Sequence, residues 1–241
     1  MKKKENLELA VYGASGRMGQ EILSLTKDAK SGWSPSLGVS RSFGDTGFSR
    51  SLPDFSSLRG KKFSDVVIDF SSPQALRGLI KELHNHRVPL VSGTTGLAKG
   101  DFDELKKLSR KIPVFWAPNT SIGVAVLRRA LQSFSTISDY DFEIEEIHHN
   151  QKKDAPSGTA KILHQDLEEI VGKKVPEAHA LRGGGVIGVH RVFAMGPEEI
   201  LTFEHSALNR RVFARGALSI ARWLTTQKPG YYTMEHFLDR R

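Results

Sequence analysis

The sequence predicts an α/β fold in which a doubly wound parallel sheet is followed by a second, smaller α+β domain. Two observations support this prediction: apolar strands alternate with amphipathic helices over the first 120 residues, and strands dominate after residue 134. Because parallel strands need crossover connections, the alternation indicates a sheet covered by helices on both faces. With 241 residues, the chain is long enough for one domain or two modest ones.

Five short apolar runs predict the strands of the parallel sheet. They lie at Leu7–Tyr12, Ser36–Ser40, Val66–Phe70, Val88–Ser92 and Ile112–Ala117. The stretch 42–62 is rich in Gly, Ser and Arg and lacks periodicity, so we expect it to be mostly loop.

Three amphipathic helices are predicted between these strands. The first buries one stripe of residues, namely Met18, Ile22 and Leu25. The second opens at Ser72-Pro73, a cap followed by a proline at the first helical position, and runs toward His86. The third begins at a capping box formed by Asp101 and Glu104 and ends near Lys111.

The second half is predicted to mix strands with longer helices. Its strands are Tyr140–His148, His190–Met195 and Ile200–Ser206, the last two joined by a hairpin turn at Gly196–Glu199. Its helices are Ile122–Phe134, Gly158–Val171 and Arg211–Thr226. The change of pattern indicates a second domain of α+β type.

The composition excludes several classes of protein. Lys and Arg outnumber Asp and Glu by 35 to 27, so the net charge is +8, and Cys is absent. Without Cys there is no disulfide, thiolate zinc site, iron–sulfur cluster or Cys nucleophile, and we expect a cytoplasmic location. No apolar run reaches the ~20 residues that cross a bilayer. We therefore expect no membrane partner. The basic residues are scattered without a nucleic-acid-binding motif, so we also expect no nucleic-acid partner.

A glycine loop follows the first predicted strand and opens a helix, which is the setting in which such a loop binds a dinucleotide. Its glycines permit a tight turn, close approach of the pyrophosphate and packing of helix against strand. The helix N-terminus offers N–H groups to the phosphates, although a plain turn is the alternative. The predicted cofactor contacts are Gly13, Ala14, Ser15, Gly16, Arg17, Met18 and Gly19.

The end of the second predicted strand governs the choice between NADH and NADPH. An acidic residue there binds the ribose 2′-hydroxyl of NADH, whereas Arg accommodates the 2′-phosphate of NADPH. This chain has Ser40 and Arg41, and its first carboxylate after them is Asp45. We therefore expect NADPH to be the preferred cofactor. NADH remains the alternative, with Arg41 then a solvated loop residue.

Two further loops follow predicted strands, at the sheet edge where parallel sheets bind ligands. The first supplies backbone freedom and hydroxyls for the nicotinamide, and its candidates are Gly93, Thr94 and Thr95. The second is a candidate for the same wall of the site and contains Pro118, Asn119, Thr120 and Ser121. Each has a structural alternative, since the first is equally consistent with a turn and Ser121 is equally suited to cap the next helix.

Segment 143–160 is the richest in reactive side chains. It brings together, in order, His148, His149, Lys152, Lys153, Asp154, Ser157, Gly158 and Thr159. A helix N-terminus with hydroxyls and nearby cations suits a carboxylate. A metal site is disfavoured, because neighbouring His on a strand point to opposite faces and the Lys residues repel a cation. In a third, structural alternative, one His lies in the core and Ser157 only caps the helix.

The same segment resembles the signature of the 4-hydroxy-tetrahydrodipicolinate reductase family of bacterial lysine and diaminopimelate biosynthesis. The match runs nearly position for position from an acidic strand through His148, Lys152 and Asp154 to the run 155–160, Ala-Pro-Ser-Gly-Thr-Ala. It extends along the chain through Gly13–Gly19, Asp69–Ser71, Gly93–Gly96, Asn119–Gly123, Arg182–Gly184 and Gly188–His190.

This resemblance implies a Rossmann-type dinucleotide-binding domain in residues 1–119, to which residues 211–241 return. It implies a substrate-binding and oligomerisation domain, built on an open mixed sheet, in residues 120–210. The family is usually a homotetramer that reduces 4-hydroxy-tetrahydrodipicolinate, a cyclic imine dicarboxylate, to tetrahydrodipicolinate with NAD(P)H. Ser40 departs from the family pattern, because many members carry an acidic residue there, and this agrees with the expected preference for NADPH.

The resemblance also implies residue roles. His148 and Lys152 match the family's acid–base pair. The residues implied to hold the substrate carboxylate are His149, Lys152, Ser157, Gly158 and Thr159. Two alternatives stay open: another NAD(P)-dependent imine or amino-acid dehydrogenase of similar architecture, and a non-catalytic dinucleotide-binding sensor. A sensor needs no acid–base pair, which argues against the second alternative.

Overall fold

The computed structural model of the protein describes residues 6–40, 47–52 and 63–240. Arg41 and most of the predicted loop at 42–62 therefore lie outside the described residues. The chain divides into two compact units, one formed by Met1–Thr120 with Phe213–Arg241 and the other by Ser121–Val212. Across the described ranges, no helix has the length and apolar character required to span a membrane.

Seven strands form the sheet of the first unit. They are β1 (Leu7–Tyr12), β2 (Trp33–Val39), β3 (Ser51–Leu52), β4 (Val66–Asp69), β5 (Leu90–Ser92), β6 (Pro113–Trp116) and, from the end of the chain, β11 (Gly230–Tyr232). Their order is β11-β6-β5-β4-β1-β2-β3, and every pairing is parallel. The order reverses between β1 and β4, as in a Rossmann fold, so the predicted parallel α/β sheet is confirmed.

The helices of this unit are α1 (Arg17–Thr26), α2 (Pro73–Leu83) and α3 (Lys99–Ser109). In α1 the buried apolar residues are Ile22 and Leu23, whereas the predicted Leu25 is only half-buried. The capping box predicted for Asp101 and Glu104 is wrong. Asp101 is already inside α3, and its carboxylate accepts a hydrogen bond from the N–H of Ala98, 2.9 Å away.

The edge formed by β2 and β3 differs most from the prediction. β2 begins at Trp33, three residues before the predicted start, and β3 lies inside the predicted loop. Gly38 pairs with Ser51, and Val39 pairs with Leu52. A strand of two residues leaves no periodic pattern in a sequence, because alternation needs about four residues to be visible.

The second unit contains a four-stranded mixed sheet and two helices. The strands are β7 (Asp141–His148), β8 (His179–Arg182), β9 (Gly188–Met195) and β10 (Ile200–Ala207), in the order β10-β9-β7-β8. β7 and β8 are parallel, whereas the other pairs are antiparallel. α5 (Gly158–Val171) connects the parallel pair, and α4 (Ile122–Ala130) continues as a 3₁₀ helix, Leu131–Ile137, where one longer helix was predicted. The predicted smaller α+β unit is confirmed.

The end of the chain returns to the first sheet. After α6 (Arg211–Leu224), β11 pairs in parallel with β6, and α7 (Met234–Leu238) follows. The ring of Trp223 packs edge-on against Tyr232 and Phe237, with ring centroids 5.3 and 5.6 Å apart. Aromatic packing therefore holds this terminal segment together. β8, β11 and α7 were not predicted.

Candidate active site

The glycine loop connects β1 to α1 in the first unit. Gly13 has φ +84°, and a Cβ atom there would lie 2.4 Å from the carbonyl oxygen of Phe70. A Cβ atom on Gly19 would lie 2.5 Å from the carbonyl oxygen of Ala14, so neither position accepts a larger residue. Gly16 is the N-cap of α1. The loop thus has the tight turn and the close helix–strand packing of a dinucleotide loop.

A cavity of about 250 Å³ borders this loop at the carboxyl ends of β1, β2 and β4. It is lined by Tyr12, Gly13, Ser15, Gly16, Val39, Ser40, Phe70, Ser71, Ser72 and Ala75. The hydroxyls of Ser15 and Ser40 are hydrogen-bonded to each other. Arg17 is exposed and Met18 is half-buried at the start of α1. The cavity lies at the point where the strand order reverses, which is where such sheets bind dinucleotides.

A fully buried carboxylate, Asp69, ends β4 and ties together the loops that follow β4 and β5. It accepts hydrogen bonds from the hydroxyls of Ser71, at 2.5 Å, and of Ser92 and Thr94, both at 2.7 Å. Burial raises the pKa of Asp69, and the hydroxyl hydrogen bonds only partly oppose this effect. The hydroxyl of Thr94 is therefore already hydrogen-bonded within the protein, whereas Thr95 is an exposed residue.

Close packing explains why position 93 of the same loop is a glycine. A Cβ atom there would lie 2.2 Å from a ring carbon of Phe70. The indole N–H of Trp116 donates to the carbonyl oxygen of Thr94, 3.0 Å away. The loop is thus held rigidly at the sheet edge.

The four predicted cofactor contacts in the loop after β6 differ in exposure. Pro118 is exposed and Asn119 is half-buried. The buried Thr120 hydroxyl donates to the carbonyl oxygen of Phe213, 2.8 Å away. In the second unit, the buried Ser121 hydroxyl caps α4. The capping role considered for Ser121 is thus present, and its predicted cofactor contact stays a prediction.

Alternate residues of β7 face the interior of the second unit. Apolar core residues fill the first inward positions, and Glu146 and His148 occupy the next two. A buried Glu and a buried His require polar partners. The neighbouring strands provide them, because the register places His190 of β9 opposite Glu146 and Arg182 of β8 opposite His148.

Glu146 is the centre of this polar cluster. One carboxylate oxygen, Oε2, pairs with Nδ1 of His148. The other, Oε1, accepts from the guanidinium of Arg182, at 2.7 Å, and from the N–H of Ser157, at 3.1 Å. Burial opposes ionisation, but the hydrogen bond from Arg182 and the charge of His148 outweigh it and lower the pKa of Glu146. Glu146 is therefore ionised at neutral pH.

Opposing effects act on the pKa of His148. Burial lowers its pKa below 6.5, the Glu146 carboxylate opposes this, and the charges of Lys152 and Arg182 add to the lowering. Its Nε2 atom is turned away from Glu146 and lies close to Gly188, where a Cβ atom would come within 3.0 Å. An imidazole with one nitrogen held by a carboxylate and the other open to proton transfer is suited to general acid–base chemistry.

Lys152 and Asp154 form an ion pair in the loop after β7. The ammonium lies 2.8 and 2.9 Å from the two carboxylate oxygens. The hydrogen bond from Lys152 lowers the pKa of Asp154. The side chain of Lys152 is 22% exposed, whereas the adjacent Lys153 is an exposed residue. Lys152 is thus the cation of the loop that belongs to the cluster.

The N-terminus of α5 lies beside the same cluster. Ser157 caps the helix through its hydroxyl, which is also 3.3 Å from Nε2 of His190. Gly158 opens the helix, and the position of a Cβ atom there meets no described heavy atom within 4 Å. Thr159 is half-buried in the first turn. Because Ser157 is committed to capping, an anion here would be bound by backbone N–H groups of the first turn.

His149, the residue after β7, has partners of its own. Its Nε2 lies 3.2 Å from the guanidinium of Arg210, and its backbone N–H donates to Val186, 2.7 Å away. His148 and His149 therefore do not share a partner.

Among the described residues, one group has the geometry of a metal site. Ligand atoms of Glu146, His148 and His190 lie within 4.8 Å of one another. This set differs from the adjacent His pair considered in the sequence. It does not fit a cation, because Glu146 is already paired with Arg182, whose charge would repel a metal ion. We assign no metal to it.

Comparison with known proteins decides the family. A model described as "Dihydrodipicolinate reductase, N-terminus" matches residues 7–120, and one described as "Dihydrodipicolinate reductase, C-terminus" matches residues 123–238. The chain belongs to the dihydrodipicolinate reductase family. The resemblance drawn from the segment around His148 and Lys152 is thereby confirmed.

Individual relatives agree with the family assignment. A 4-hydroxy-tetrahydrodipicolinate reductase of Bdellovibrio bacteriovorus is 47% identical over 241 residues, which covers 97% of each chain. One from Caldanaerobacter subterraneus is 35% identical over 253 residues, covering 97% of this chain and 99% of the relative. Among solved structures, dipicolinate-bound dihydrodipicolinate reductase from Paenisporosarcina sp. TG-14 has a TM-score of 0.78 at 22% identity, covering 95% and 97% of the two chains. Aspartate dehydrogenase from Thermotoga maritima shares the fold, with a TM-score of 0.50 at 16% identity, covering 92% and 97%.

Four polar residues were not among the predicted site residues, although they lie in segments that match the family. They are Asp69, Glu146, Arg182 and His190. Glu146 carried a signal in the sequence, because strand alternation puts it on the apolar face of β7, where a carboxylate must be paired. The partners Arg182 and His190 depend on strand register, which the sequence pattern does not specify.

Proposed function

We propose that this chain reduces 4-hydroxy-tetrahydrodipicolinate to tetrahydrodipicolinate with a hydride from NAD(P)H, as an oxidoreductase of diaminopimelate and lysine biosynthesis. One observation supports this most strongly: a buried Glu146–His148 pair lies beside Lys152 and the N-terminus of α5. This arrangement combines a proton donor with an anion-binding helix end. Family membership and a relative of this activity at 47% identity support the same reaction.

The reaction requires charge stabilisation more than covalent chemistry. The substrate loses its 4-hydroxyl group as water, a hydride adds to C4, and one proton is consumed. Adding a hydride to an unsaturated imine drives negative charge toward the ring nitrogen. Bound NAD(P)H supplies the hydride, and the protein supplies orientation, positive charge and the proton.

His148 and Lys152 are the proposed acid–base pair. Nδ1 of His148 is held by Glu146, so Nε2 is the atom through which a proton moves to the developing charge. The Lys152 ammonium, held in its loop by Asp154, adds positive charge beside it. Their contribution is expected in the transition state, where the charge develops.

The substrate carboxylate is proposed to bind at the start of α5. The backbone N–H groups of Gly158 and Thr159 supply donors, and the helix dipole favours an anion there. Ser157 contributes by capping the helix. Lys152 and His149 supply the neighbouring positive and polar groups.

The first unit is the proposed dinucleotide domain, with 4-hydroxy-tetrahydrodipicolinate bound by the second. The glycine loop and its cavity would hold the cofactor diphosphate and adenosine, and the loops after β5 and β6 the nicotinamide. We assign NADPH as the preferred cofactor. None of the described residues lining the cavity is acidic, and Ser40, at the end of β2, is followed by Arg41.

Steady-state kinetics with both cofactors tests the preference. We expect kcat/KM to be higher for NADPH than for NADH, and Ser40→Asp to reverse the ratio, because a carboxylate repels the 2′-phosphate and binds the ribose diol. Ser72→Ala, in the same cavity but at the start of α2, is the control. A higher kcat/KM for NADH in the unmodified chain contradicts the preference.

A homotetramer is the proposed assembly. β10 is an edge strand of the second sheet, and it exposes Ile200 at 66% and Leu201 at 37%. Leu208, just beyond it, is 92% exposed. Edge strands with exposed apolar residues are usually covered by another chain. Sedimentation analysis should give four chains, and Ile200→Glu should dissociate the assembly; a monomer at micromolar concentration contradicts it.

A coupled assay with freshly generated substrate tests the proposed activity. We expect oxidation of NAD(P)H that depends on 4-hydroxy-tetrahydrodipicolinate. The same preparation should show no reduction of NAD(P)⁺ by L-aspartate, which an amino-acid dehydrogenase would oxidise. Turnover of L-aspartate without turnover of the cyclic imine would favour that alternative, and cofactor binding without either activity would favour a sensor.

A further inference from the structure

We propose that Glu146 is a positioning residue that fixes which nitrogen of His148 carries the ring proton, an inference that rests on the proposed function of His148. Glu146 is fully buried on β7, two residues before His148 and on the same face of the strand. Its two oxygens have separate partners. Oε2 faces Nδ1 of His148, and Oε1 faces Arg182 and the N–H of Ser157.

The direction of the Glu146–His148 hydrogen bond follows from charge. Arg182 keeps Glu146 ionised against the cost of burial, and an ionised carboxylate can only accept hydrogen bonds. Nδ1 must therefore be the donor, so it carries a proton in both the neutral and the charged ring. Nε2 is left as the atom that gains and loses the catalytic proton.

The same carboxylate also fixes the position of the carboxylate-binding helix. Oε1 accepts from the N–H of Ser157, 3.1 Å away, and Ser157 is the N-cap of α5. Glu146 thus links the orientation of the proposed proton donor to the start of the helix. The proposed proton transfer and the proposed carboxylate binding therefore both depend on Glu146, which contacts neither the atom that receives the proton nor the atom that receives the hydride.

The substitution Glu146→Gln removes the negative charge of the side chain but keeps its shape. Oε1 of the amide can still accept from Arg182 and Ser157, which leaves the amide N–H₂ facing His148. Because an amide nitrogen only donates, Nδ1 must then accept, and the ring proton moves to Nε2. We therefore expect the substitution to invert the tautomer of neutral His148.

The titration of His148 should change as well. The charged and titratable groups that face it are Glu146 on its own strand, Arg182 on β8, His190 on β9 and Lys152 in the following loop. Only Glu146 is anionic. Removing its charge should shift the His148 midpoint to lower pH and lower kcat by about 10²-fold, within the range that general acid–base catalysis contributes. A purely structural role would leave the midpoint in place.

Nitrogen NMR of ¹⁵N-histidine-labelled protein, with His148 assigned by His148→Gln, tests the proposal without substrate. We expect an Nδ1-protonated ring in the unmodified protein and an Nε2-protonated ring with a lower midpoint in Glu146→Gln. Glu145→Gln is the matched control, since Glu145 pairs with Arg191 on the opposite face of β7. It should titrate like the unmodified protein.

An Nε2-protonated ring in the unmodified protein would overturn the proposal, and this spectrum decides the matter even if Glu146→Gln does not fold. An unchanged tautomer and midpoint in a folded Glu146→Gln would overturn it equally. Failure of the proposed function has a different signature. The unmodified protein would then lack turnover of the cyclic imine, whatever the tautomer of His148.

Discussion

Glu146 and Asp69 are both fully buried carboxylates, yet their surroundings shift their pKa values in opposite directions. The side chains that donate hydrogen bonds to Asp69 are the hydroxyls of Ser71, Ser92 and Thr94, so the cost of burial prevails and the pKa of Asp69 rises. Glu146 faces the guanidinium of Arg182, and its pKa falls. A neighbouring cation, rather than depth of burial, therefore separates the carboxylate that remains ionised from the one that resists ionisation.

Substitution of the proposed acid–base pair is the first residue-level prediction. His148→Gln and Lys152→Ala should each lower kcat by about 10²-fold or more, because each removes a group that stabilises or protonates the developing charge. The double variant should be less than multiplicatively worse if the two act as a unit. Steady-state kinetics measures this, with the exposed neighbour Lys153→Ala as the control. Unmodified turnover in Lys152→Ala would remove Lys152 from the mechanism.

Because His190 is buried, we expect the folded protein to lose stability in acid. Burial, together with the charge of His148, lowers its pKa to about 4, against 6.5 for the free side chain. The unfolded chain therefore binds the extra proton first, and stability is lost as the pH falls from 6.5 through 4. The difference corresponds to roughly 3 kcal/mol at ~1.4 kcal/mol per pH unit.

Urea unfolding at pH 7 and pH 4 measures this contribution. The free energy of unfolding of His190→Gln should fall less between the two pH values than that of the unmodified protein. His179→Gln, at an exposed histidine of the same sheet, should behave like the unmodified protein. Parallel losses in all three proteins would show that His190 titrates normally.

At the scale of elements, the caps indicated at Ser72 and Ser157 are present, whereas the one predicted at Asp101 is not. α5 begins and ends where its sequence indicated, because Ser157 caps it and Gly172 ends it with φ +68°. The capping box predicted for α3 failed because Asp101 bonds to the backbone of Ala98 and to Arg77 from inside the helix. A sequence contains several residues able to cap, and tertiary contacts decide which one does.

We expect substitution by Ala to have opposite effects on stability at two helical glycines. Gly19→Ala should destabilise the first unit and weaken cofactor binding, since the added Cβ would meet the carbonyl oxygen of Ala14 at 2.5 Å. Gly78→Ala, in the exposed interior of α2, meets no described heavy atom within 4 Å and should stabilise the protein by about 0.5–1 kcal/mol. Thermal unfolding measures both effects. Equal changes in Tm would contradict the packing role of Gly19.

At the scale of the whole molecule, the sequence predicted the α/β and α+β units and most of their elements. It did not predict the short pairings at β3 and β8, or β11, whose partner β6 lies more than 100 residues earlier. The same limit applies to the site. The segment containing His148 and Lys152 is visible in one stretch of sequence, whereas Arg182 and His190 reach Glu146 through strand register.

Transfer of deuteride from NADPH that carries deuterium at both C4 positions of the nicotinamide tests the central claim most directly. The account predicts that the reduced product carries one deuterium at ring carbon 4, as determined by mass spectrometry and NMR of the freshly trapped product. The label should appear at a rate that His148→Gln lowers by about 10²-fold. Deuterium at another position, or no labelled product from the unmodified protein with either NADPH or NADH, would contradict the claim.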